Sequence, residues 1–596
     1  MSRGTGLIVA AIDFGTTYSG YAFSMRHEYE KDKLKISANN WMAGSRGLVS
    51  LKTPTAVLLN PKKEFDSFGF EAEDKYSDLA DDDEHHGWYY FRRFKMMLHD
   101  KFDEVDGEKG VKGAKKNKIK RNIMLKDVTG EKEMPAIDIF AMAIRYLKNH
   151  LLSTCEKRAD MIKEDDVTWV LTVPAIWNDA AKQFMREAAE KAEIKGDHLL
   201  IALEPEAASM FCKHVPVEKM CSETGFASFA PGSKYLVLDA GGGTVDITVH
   251  EVAENDHLRE LHKASGGAWG GTQVDESFRQ MLVRIVGGPV WNKFCSRHTG
   301  DFVDMFREFE TKKRNINEAT TGKVTMKIPV TFAEQFQEET EEDIKEVIEQ
   351  TNFSGKISWF SDKTRINADL FKNLFEEASQ NIVVHLRELL STKEVKDTKT
   401  ILMVGGFSES PILQSRIRRE FPDMRVIIPP DAGLAVLKGA VLFGYDPKTI
   451  EERIAKYTYG IATTDHFDPK KHDASKKKNI NGRDMCSDVF HKHVTKGQVL
   501  RIDEVQSEEN YYPIKPDQTA INFTVYISPN LNPKYVTDND CEEMGQMDVD
   551  IPDITDGLKR CVIVKMIFGG TELHLEAMVK KTGKVTKAKF NFLGND

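Results

Sequence analysis

The chain has 596 residues, of which 40% are apolar, and its 83 lysines and arginines are outnumbered by 93 acidic residues, giving a net charge of −10. This length allows about three to four folding units with sizeable cores, and the acidic balance disfavours nucleic-acid binding through a basic surface. The seven cysteines are scattered and never spaced C-x-x-C, which disfavours a disulfide framework or a zinc site and favours a reducing compartment. No signal peptide precedes the first strand and no apolar run approaches the roughly 18 residues of a membrane span, so we expect a cytoplasmic protein.

The chain begins with a buried strand that runs into a Gly/Thr turn. The apolar run 7–12 predicts the strand, and the turn is Asp13-Phe14-Gly15-Thr16-Thr17-Tyr18. Further strands are predicted at 20–24 and 55–59. The acidic and histidine-containing segment Asp81–His86 lacks a fixed helical or strand spacing, so it favours a solvated turn over a metal site.

The next elements alternate between helices and buried strands. A 3.6-residue apolar period predicts a helix within 134–151, and the apolar run 167–173 predicts a strand. A helix over 180–191 follows, capped by Asn178 or Asp179.

Glu204 lies directly after a strand predicted at 199–203, and Pro205 suits the first turn of the following helix. Open α/β sheets bind ligands at the carboxyl ends of their strands, so Glu204 is a candidate site residue. The structural alternative is a carboxylate that only complements a helix dipole.

A second turn, Asp239-Ala240-Gly241-Gly242-Gly243-Thr244-Val245-Asp246, separates the apolar runs 235–238 and 247–249. Three glycines let backbone N–H groups approach an anion. Because the flanking carboxylates would repel a bare phosphate, the turn predicts magnesium between protein and nucleotide, although plain hairpins also contain such glycine runs.

Two strand–turn–strand units near residues 13 and 239 imply a duplicated α/β domain with one hairpin from each half. A third strand-and-glycine unit, Ile401–Gly406, is predicted to meet the nucleoside end, and the turn Gly266–Gly271 is predicted to lie near the nucleotide. After Asp446, alternating apolar runs such as Ile521–Ser528 predict a small antiparallel β domain.

Taken together, these motifs resemble the ATPase domain of the 70-kilodalton heat-shock chaperones, a member of the actin and sugar-kinase superfamily. The resemblance spans about residues 7–445 and rests on Asp13–Tyr18, Val173–Asp179, Glu204-Pro205, Asp239–Asp246 and Val404–Gly406. The segment Tyr89–Leu98 is most similar to the divergent heat shock 70 kDa protein 12A branch of that family.

The resemblance implies an actin-like, ribonuclease H-like ATPase fold of two lobes followed by a reduced β-sandwich-like domain without a helical lid. It predicts a nucleotide-binding domain over 1–446, with lobe I at about 1–203, lobe II at about 204–446 and an inserted subdomain at about 275–365. A link at 447–456 and a β-rich, substrate-binding-like domain at 457–596 follow.

The resemblance also implies ATP or ADP with Mg²⁺ as ligands and a polypeptide as partner. Asp13 and Asp239 are predicted to hold the metal, and Lys95, Glu204 and Asp246 to act in hydrolysis. The predicted nucleotide-binding residues are Gly15, Thr16, Thr17, Tyr18, Gly241, Gly242, Gly243, Thr244, Gly270, Gly271, Glu310, Lys313, Arg314, Gly405, Gly406, Phe407 and Asp431.

Three features depart from the family pattern. Phe407 and Glu409 stand where the family has a small residue and an adenine-stacking arginine, the link is charged, and the chain ends after the last predicted strand. Three hypotheses remain: an ATP-driven chaperone-like switch, a nucleotide-binding scaffold with negligible hydrolysis, and a small-molecule kinase. The additional β domain disfavours the kinase.

Overall fold

The computed structural model describes residues 6–43, 48–99, 119–156, 162–215, 229–569, 572–589 and 593. Within these ranges, no helix combines the length and the apolar character that a bilayer crossing requires. The cysteines of these ranges are all free: Cys155, Cys212, Cys295, Cys486, Cys541 and Cys561.

Lobe I is organised around a six-stranded sheet. The described strands of lobe I, including those outside this sheet, are β1 Ile8–Phe14, β2 Tyr18–Met25, β3 Ser37–Ala38, β4 Trp41–Ala43, β5 Leu48–Ser50, β6 Thr53–Pro54, β7 Ala56–Leu59, β8 Phe65–Phe68, β9 Tyr89–Arg92, β10 Met124–Lys126, β11 Glu133–Pro135, β12 Val167–Val173 and β13 Leu199–Leu203. Its helices are α1 Arg26–Tyr29, α2 Phe70–Asp81, α3 Ala136–Glu156 and α4 Asp179–Lys191. β1 pairs antiparallel with β2 and parallel with β12, and β12 pairs parallel with β13.

Lobe II begins with helix α5 Glu204–His214. Its strands are β14 Lys234–Ala240, β15 Val245–Val252, β16 Leu258–Gly267, β17 Lys323–Lys327, β18 Ile357–Trp359, β19 Lys363–Asn367, β20 Thr400–Val404 and β21 Arg425–Ile427. Its other helices are α6 Gly271–Val286, α7 Gly288–Arg297, α8 Thr299–Asn315, α9 Val330–Thr340, α10 Ile344–Glu349, α11 Ala368–Lys372, α12 Glu376–Ser391, α13 Pro411–Glu420 and α14 Ala435–Tyr445.

The sheets of the two lobes repeat one arrangement. In lobe II, β14 pairs antiparallel with β15 and parallel with β20, and β20 pairs parallel with β21. This order matches that of β2, β1, β12 and β13 in lobe I. Each candidate turn therefore joins the two strands of the central antiparallel hairpin of its lobe. The two turns lie at corresponding positions of the two sheets.

Helices α5 and α14 lie between the two sheets. Apolar residues of both helices share one core with residues of β1 and β12 on one side and of β14 and β20 on the other. The helices cross closely because Gly439 has no side chain, since a Cβ atom there would lie 1.6 Å from the carbonyl oxygen of Ala207. This packing joins the lobes at the base of a cleft.

The C-terminal part contains β22 Ile450–Ile454, β23 Thr458–His466, β24 Lys477–Ile480, β25 Arg483–Val494, β26 Val499–Arg501, β27 Val505–Tyr511, β28 Ala520–Ser528, β29 Glu542–Asp550, β30 Val562–Gly569, β31 Glu572–Val579 and β32 Val585–Lys589. Two antiparallel sheets, β24-β25-β23-β28-β29 and β27-β30-β31-β32, share one apolar core. β22, which falls in the segment predicted to be a link, pairs with β16 of lobe II and with β26. The lobe II sheet therefore continues into the C-terminal part.

Candidate functional site

A cavity of about 460 Å³ lies between the lobes, above helices α5 and α14. Its walls contain most of the site residues that the sequence predicts: Asp13, Gly15, Thr16, Thr17, Tyr18, Lys95, Glu204, Asp239, Gly241, Gly242, Gly243, Thr244, Gly271, Glu310, Lys313, Arg314, Gly405, Gly406 and Phe407. The fold thus brings together residues that are up to about four hundred positions apart in the chain.

The two Gly/Thr turns meet across this cavity. A Cβ atom on Gly242 would lie 2.3 Å from Oγ1 of Thr17 and 3.1 Å or less from the other side-chain atoms of that threonine. The second turn is held by the start of α6, because the N–H groups of Gly271 and Thr272 donate to the carbonyl oxygens of Gly241 and Gly242. The turns therefore form opposing walls, with the backbone of Gly242 against the side chain of Thr17.

Asp13 is buried where strand β1 ends. Lys52 donates to its Oδ2 at 2.6 Å, and the hydroxyl of Thr172 donates to its Oδ1 at 3.0 Å. Burial raises the pKa of the Asp13 carboxyl, but the Lys52 ammonium offsets this, so that the net pKa lies below its usual value. Asp13 is therefore a carboxylate at neutral pH.

Glu204 lies opposite, at the start of α5, and accepts a hydrogen bond from Lys95 at 2.7 Å. Lys95 is buried and also lies 5.1 Å from the ring centre of Trp177, a cation–π distance. Burial, only partly offset by the Lys95 ammonium, raises the pKa of Glu204 to about 7. A carboxyl with this pKa can exchange a proton near neutral pH.

Asp239 and Asp246 bracket the second turn, and both are buried. Burial and the neighbouring carboxyl groups, Glu204 first among them, raise the pKa of Asp239 well above its usual value. Burial also raises the pKa of Asp246, whose Oδ1 accepts from the backbone N–H of Ile176 at 2.9 Å.

These groups fit a divalent cation. The cavity wall carries the carboxyl groups of the buried Asp13 and Asp239 and of the largely buried Glu204, with the buried Asp246 behind the second turn, against two ammonium groups, Lys52 and Lys95. A cation bound here would neutralise this excess of acid, and oxygen ligands beside backbone N–H groups suit a hydrated Mg²⁺ ion with phosphate.

The other end of the cavity is lined by helix α8. Glu310 pairs with Lys313 at 2.5 Å and with Arg314 at 2.7 Å. The Arg314 guanidinium also lies 5.0 Å from the ring centre of Tyr18 in lobe I. Burial opposes ionisation of Glu310, but the two cations outweigh it and lower its pKa to about 2.

Phe407 and Glu409 stand at this end as well, on the turn after β20. Phe407 is buried against Phe375, with ring centres 6.4 Å apart. Glu409 lines the cavity, and its Oε1 accepts from the N–H of Gly433 at 3.0 Å. An acidic group thus borders the nucleoside end.

Three predicted site residues are not among the described residues that line the cavity. Asp246 lies behind the second turn, and Gly270 donates its N–H to the carbonyl of Gly243. Asp431 pairs with Lys438 on α14 at 2.5 Å. Asp246 and Gly270 thus support the cavity from behind, whereas Asp431 contacts α14.

Sequence reasoning missed Lys52, Thr172, Arg93 and Asp275. Lys52 and Thr172 contact Asp13, and Arg93 pairs with Asp275 at 2.7 Å across the lobes. None of the four belongs to a glycine-rich turn. Two signals were available: Thr172 is a polar residue near the end of a largely apolar strand, and Arg93 lies within the segment Tyr89–Leu98 that carries part of the family resemblance.

The segment Asp81–His86, predicted to be a solvated turn, brings together side chains of Asp83, His85 and His86. Their potential ligand atoms lie within 4.8 Å of one another. Asp83 and His86 are largely exposed and hydrogen bond to each other at 2.9 Å, whereas His85 is buried. The exposed pair agrees with a turn at the surface.

The chain is similar to proteins of known families along nearly its whole length. The Hsp70 protein family model matches residues 90–585. The chain is 34% identical to mouse heat shock 70 kDa protein 12A, over 99% of its own length and 92% of that protein. It is 32% identical to human heat shock 70 kDa protein 12B, over 99% and 91%.

A more distant relative matches a shorter stretch. The chaperone protein DnaK of Mycoplasma mobile is 26% identical over 56% of this chain and 49% of the bacterial protein. The resemblance inferred from the turns is thereby confirmed, including its divergent branch. The chain belongs to the Hsp70 family, within the branch that resembles heat shock 70 kDa proteins 12A and 12B.

Proposed function

We propose that the chain binds ATP with magnesium and hydrolyses it slowly, and that the nucleotide state controls lobe closure and the binding of a polypeptide partner, in the cytoplasm. Membership of the Hsp70 family implies ATP binding. The observation that carries the proposal is the pair of turns around Thr17 and Gly242, which oppose each other across a cavity with buried carboxylates. Two walls of backbone N–H groups suit a polyphosphate.

The residues take the following roles in this proposal. Asp13 and Asp239 would hold magnesium mostly through its water ligands, and the bound ion neutralises phosphate charge. The family resemblance implies that phosphate oxygens are bound by Thr16, Thr17, Thr244 and the glycine N–H groups. Lys95 stabilises negative charge that develops on the γ-phosphate, and Glu204 orients the attacking water. Asp246, which lies behind the turn, would orient the attacking water together with Glu204.

A second candidate function is a nucleotide-binding scaffold without useful hydrolysis. Glu409 favours it, because a carboxylate borders the nucleoside end where the family has an arginine. The link region also supports it, since β22 joins lobe II by strand pairing and carries charged residues.

Single-turnover hydrolysis without an added acceptor tests the proposal. We expect ADP and free phosphate from the parent protein, and a rate about 10² to 10⁴-fold lower for Glu204→Gln with nucleotide binding retained. Glu349→Gln on the exposed end of α10 is the matched control and should hydrolyse at the parental rate. Tight binding without turnover in the parent supports the scaffold instead, and turnover that requires an acceptor supports a kinase.

A further inference from the structure

A line of alternating charges runs from lobe I to the nucleoside end of the cavity. A guanidinium nitrogen of Arg93, directly after strand β9, lies 2.7 Å from Oδ2 of Asp275 on helix α6. The other oxygen of Asp275 accepts from Lys313 on α8 at 2.6 Å, and Lys313 lies 2.5 Å from Glu310. Lys313 and Glu310 line the cavity, whereas Arg93 and Asp275 are not among the described lining residues.

The burial of these groups makes the line sensitive to loss of one member. Asp275 is 3% exposed and Lys313 is 7% exposed. Without Arg93, Asp275 keeps one cation, and water that enters beside the Arg93 side chain, which is 29% exposed, compensates the carboxylate only in part. Without Arg93, Asp275 would attract Lys313 more strongly and draw its charge away from a ligand in the cavity.

The backbone of Arg93 supports a dedicated role. Its φ of 55° and ψ of 25° lie in the left-handed region, which non-glycine residues seldom adopt and which costs about 1 kcal/mol or more. This conformation sends Arg93 towards Asp275, while Lys95, two residues later, contacts Glu204 at the phosphate end. One short segment of lobe I thus supports both ends of the cavity.

We propose that Arg93 is a positioning residue for the nucleoside. It neutralises Asp275 from the opposite lobe and thereby fixes Lys313 and Glu310 at the cavity wall. The nucleoside end is then complete only when the lobes are closed. This inference rests on the proposed nucleotide site, and Arg93 acts through Asp275 and Lys313 without touching the ligand.

Calorimetric titration of the full chain with magnesium ADP and with magnesium pyrophosphate separates the two ends of the cavity. Arg93→Ala should weaken ADP binding about tenfold or more and leave pyrophosphate binding within about twofold. Arg93→Lys should restore part of the loss, because it keeps the charge with poorer geometry. Arg92→Ala, which removes the neighbouring guanidinium, is the matched control and should bind both ligands like the parent.

Unchanged ADP binding in Arg93→Ala would overturn the inference, and so would an equal loss for pyrophosphate, which would indicate an effect on lobe closure alone.

The double variant Arg93→Ala/Lys313→Met tests whether Arg93 acts through Lys313. Its loss of ADP affinity should not exceed that of Lys313→Met, and additive losses of affinity would also overturn the inference. If Arg93→Ala does not fold, Arg93→Lys provides the same comparison with a smaller expected loss. A parent protein that binds neither ligand would refute the proposed function itself.

Discussion

At the scale of single residues, the site depends on positions where a side chain is missing as much as on those where one is present. The second turn approaches Thr17 so closely that a Cβ atom at position 242 would collide with the threonine side chain. The contacts that complete the site come from residues without a motif, such as Lys52 beside Asp13. Their identity depends on which strands become neighbours, and local sequence carries little information about that.

Replacing Gly242 with alanine should weaken ATP binding. The new Cβ atom would lie within 3.1 Å of three side-chain atoms of Thr17, so the threonine side chain must shift, and the contact with its Cβ atom pushes the two turns apart. We expect a loss of about tenfold or more in affinity, equivalent to about 1.4 kcal/mol. Calorimetry with magnesium ATP measures it.

Gly288→Ala is the control for this change. Gly288 opens helix α7, and a Cβ atom there would meet nothing within 4 Å. Parental affinity in Gly288→Ala and a loss in Gly242→Ala are expected together. Parental affinity in both variants would contradict the close approach of the turns.

At the scale of elements, apolar patterns predicted most of the strands that carry the site. The strands at 167–173 and 199–203 have the predicted bounds, and Asn178 caps α4 as one of the two residues expected to do so. The segment 447–456 was predicted to be a charged link, yet part of it forms β22 in the lobe II sheet. Its Arg453 is neutralised by Glu206, 247 positions earlier, and such a distant partner cannot be inferred from local pattern.

The contact of β16 with β22 predicts a pH-dependent stability. Burial raises the pKa of Glu260 to about 7, although its carboxylate accepts from the N–H of Ile454 at 2.8 Å. A carboxyl whose pKa is raised by folding stabilises the native state below its unfolded pKa of about 4.5, and this contribution is lost as the pH rises towards 7.

Glu260→Gln should therefore gain stability relative to the parent between pH 5 and pH 8, by up to about 3 kcal/mol. Thermal melting of both proteins across this range measures the difference in their stability at each pH. The contributions of other titrating groups are common to both proteins and cancel in this difference. A difference that stays constant with pH, or that changes in the opposite direction, would show that Glu260 is charged in the native protein throughout.

At the scale of the whole molecule, the lobes are joined at the base of the cleft by α5 and α14 and at its mouth by ion pairs. Arg307 on α8 lies 3.1 Å from Glu73 and 3.4 Å from Asp74, both on α2 of lobe I. The side chains of Arg307 and Glu73 are 16% and 8% exposed, so this contact is shielded from solvent. Opening the cleft at its mouth requires that it break.

Arg307→Ala should accelerate nucleotide release. Losing a largely buried pair between the lobes favours the open form, and we expect release about tenfold faster, equivalent to about 1.4 kcal/mol. Stopped-flow displacement of a fluorescent ADP analogue measures the rate. Arg297→Ala, which removes an exposed arginine 3.9 Å from its nearest acidic partner, should release nucleotide at the parental rate. Equal rates in both variants and the parent would place the barrier to release elsewhere.

The central claim is that two related glycine-rich turns hold a magnesium-neutralised polyphosphate between the lobes. Calorimetric titration of ATP into the full chain, once with magnesium and once with excess chelator, tests it most directly. We predict saturable one-to-one binding that weakens at least about tenfold when magnesium is removed, because buried carboxylates then face the phosphates without a neutralising cation. Equal affinity in both conditions, or no binding in either, would contradict the account.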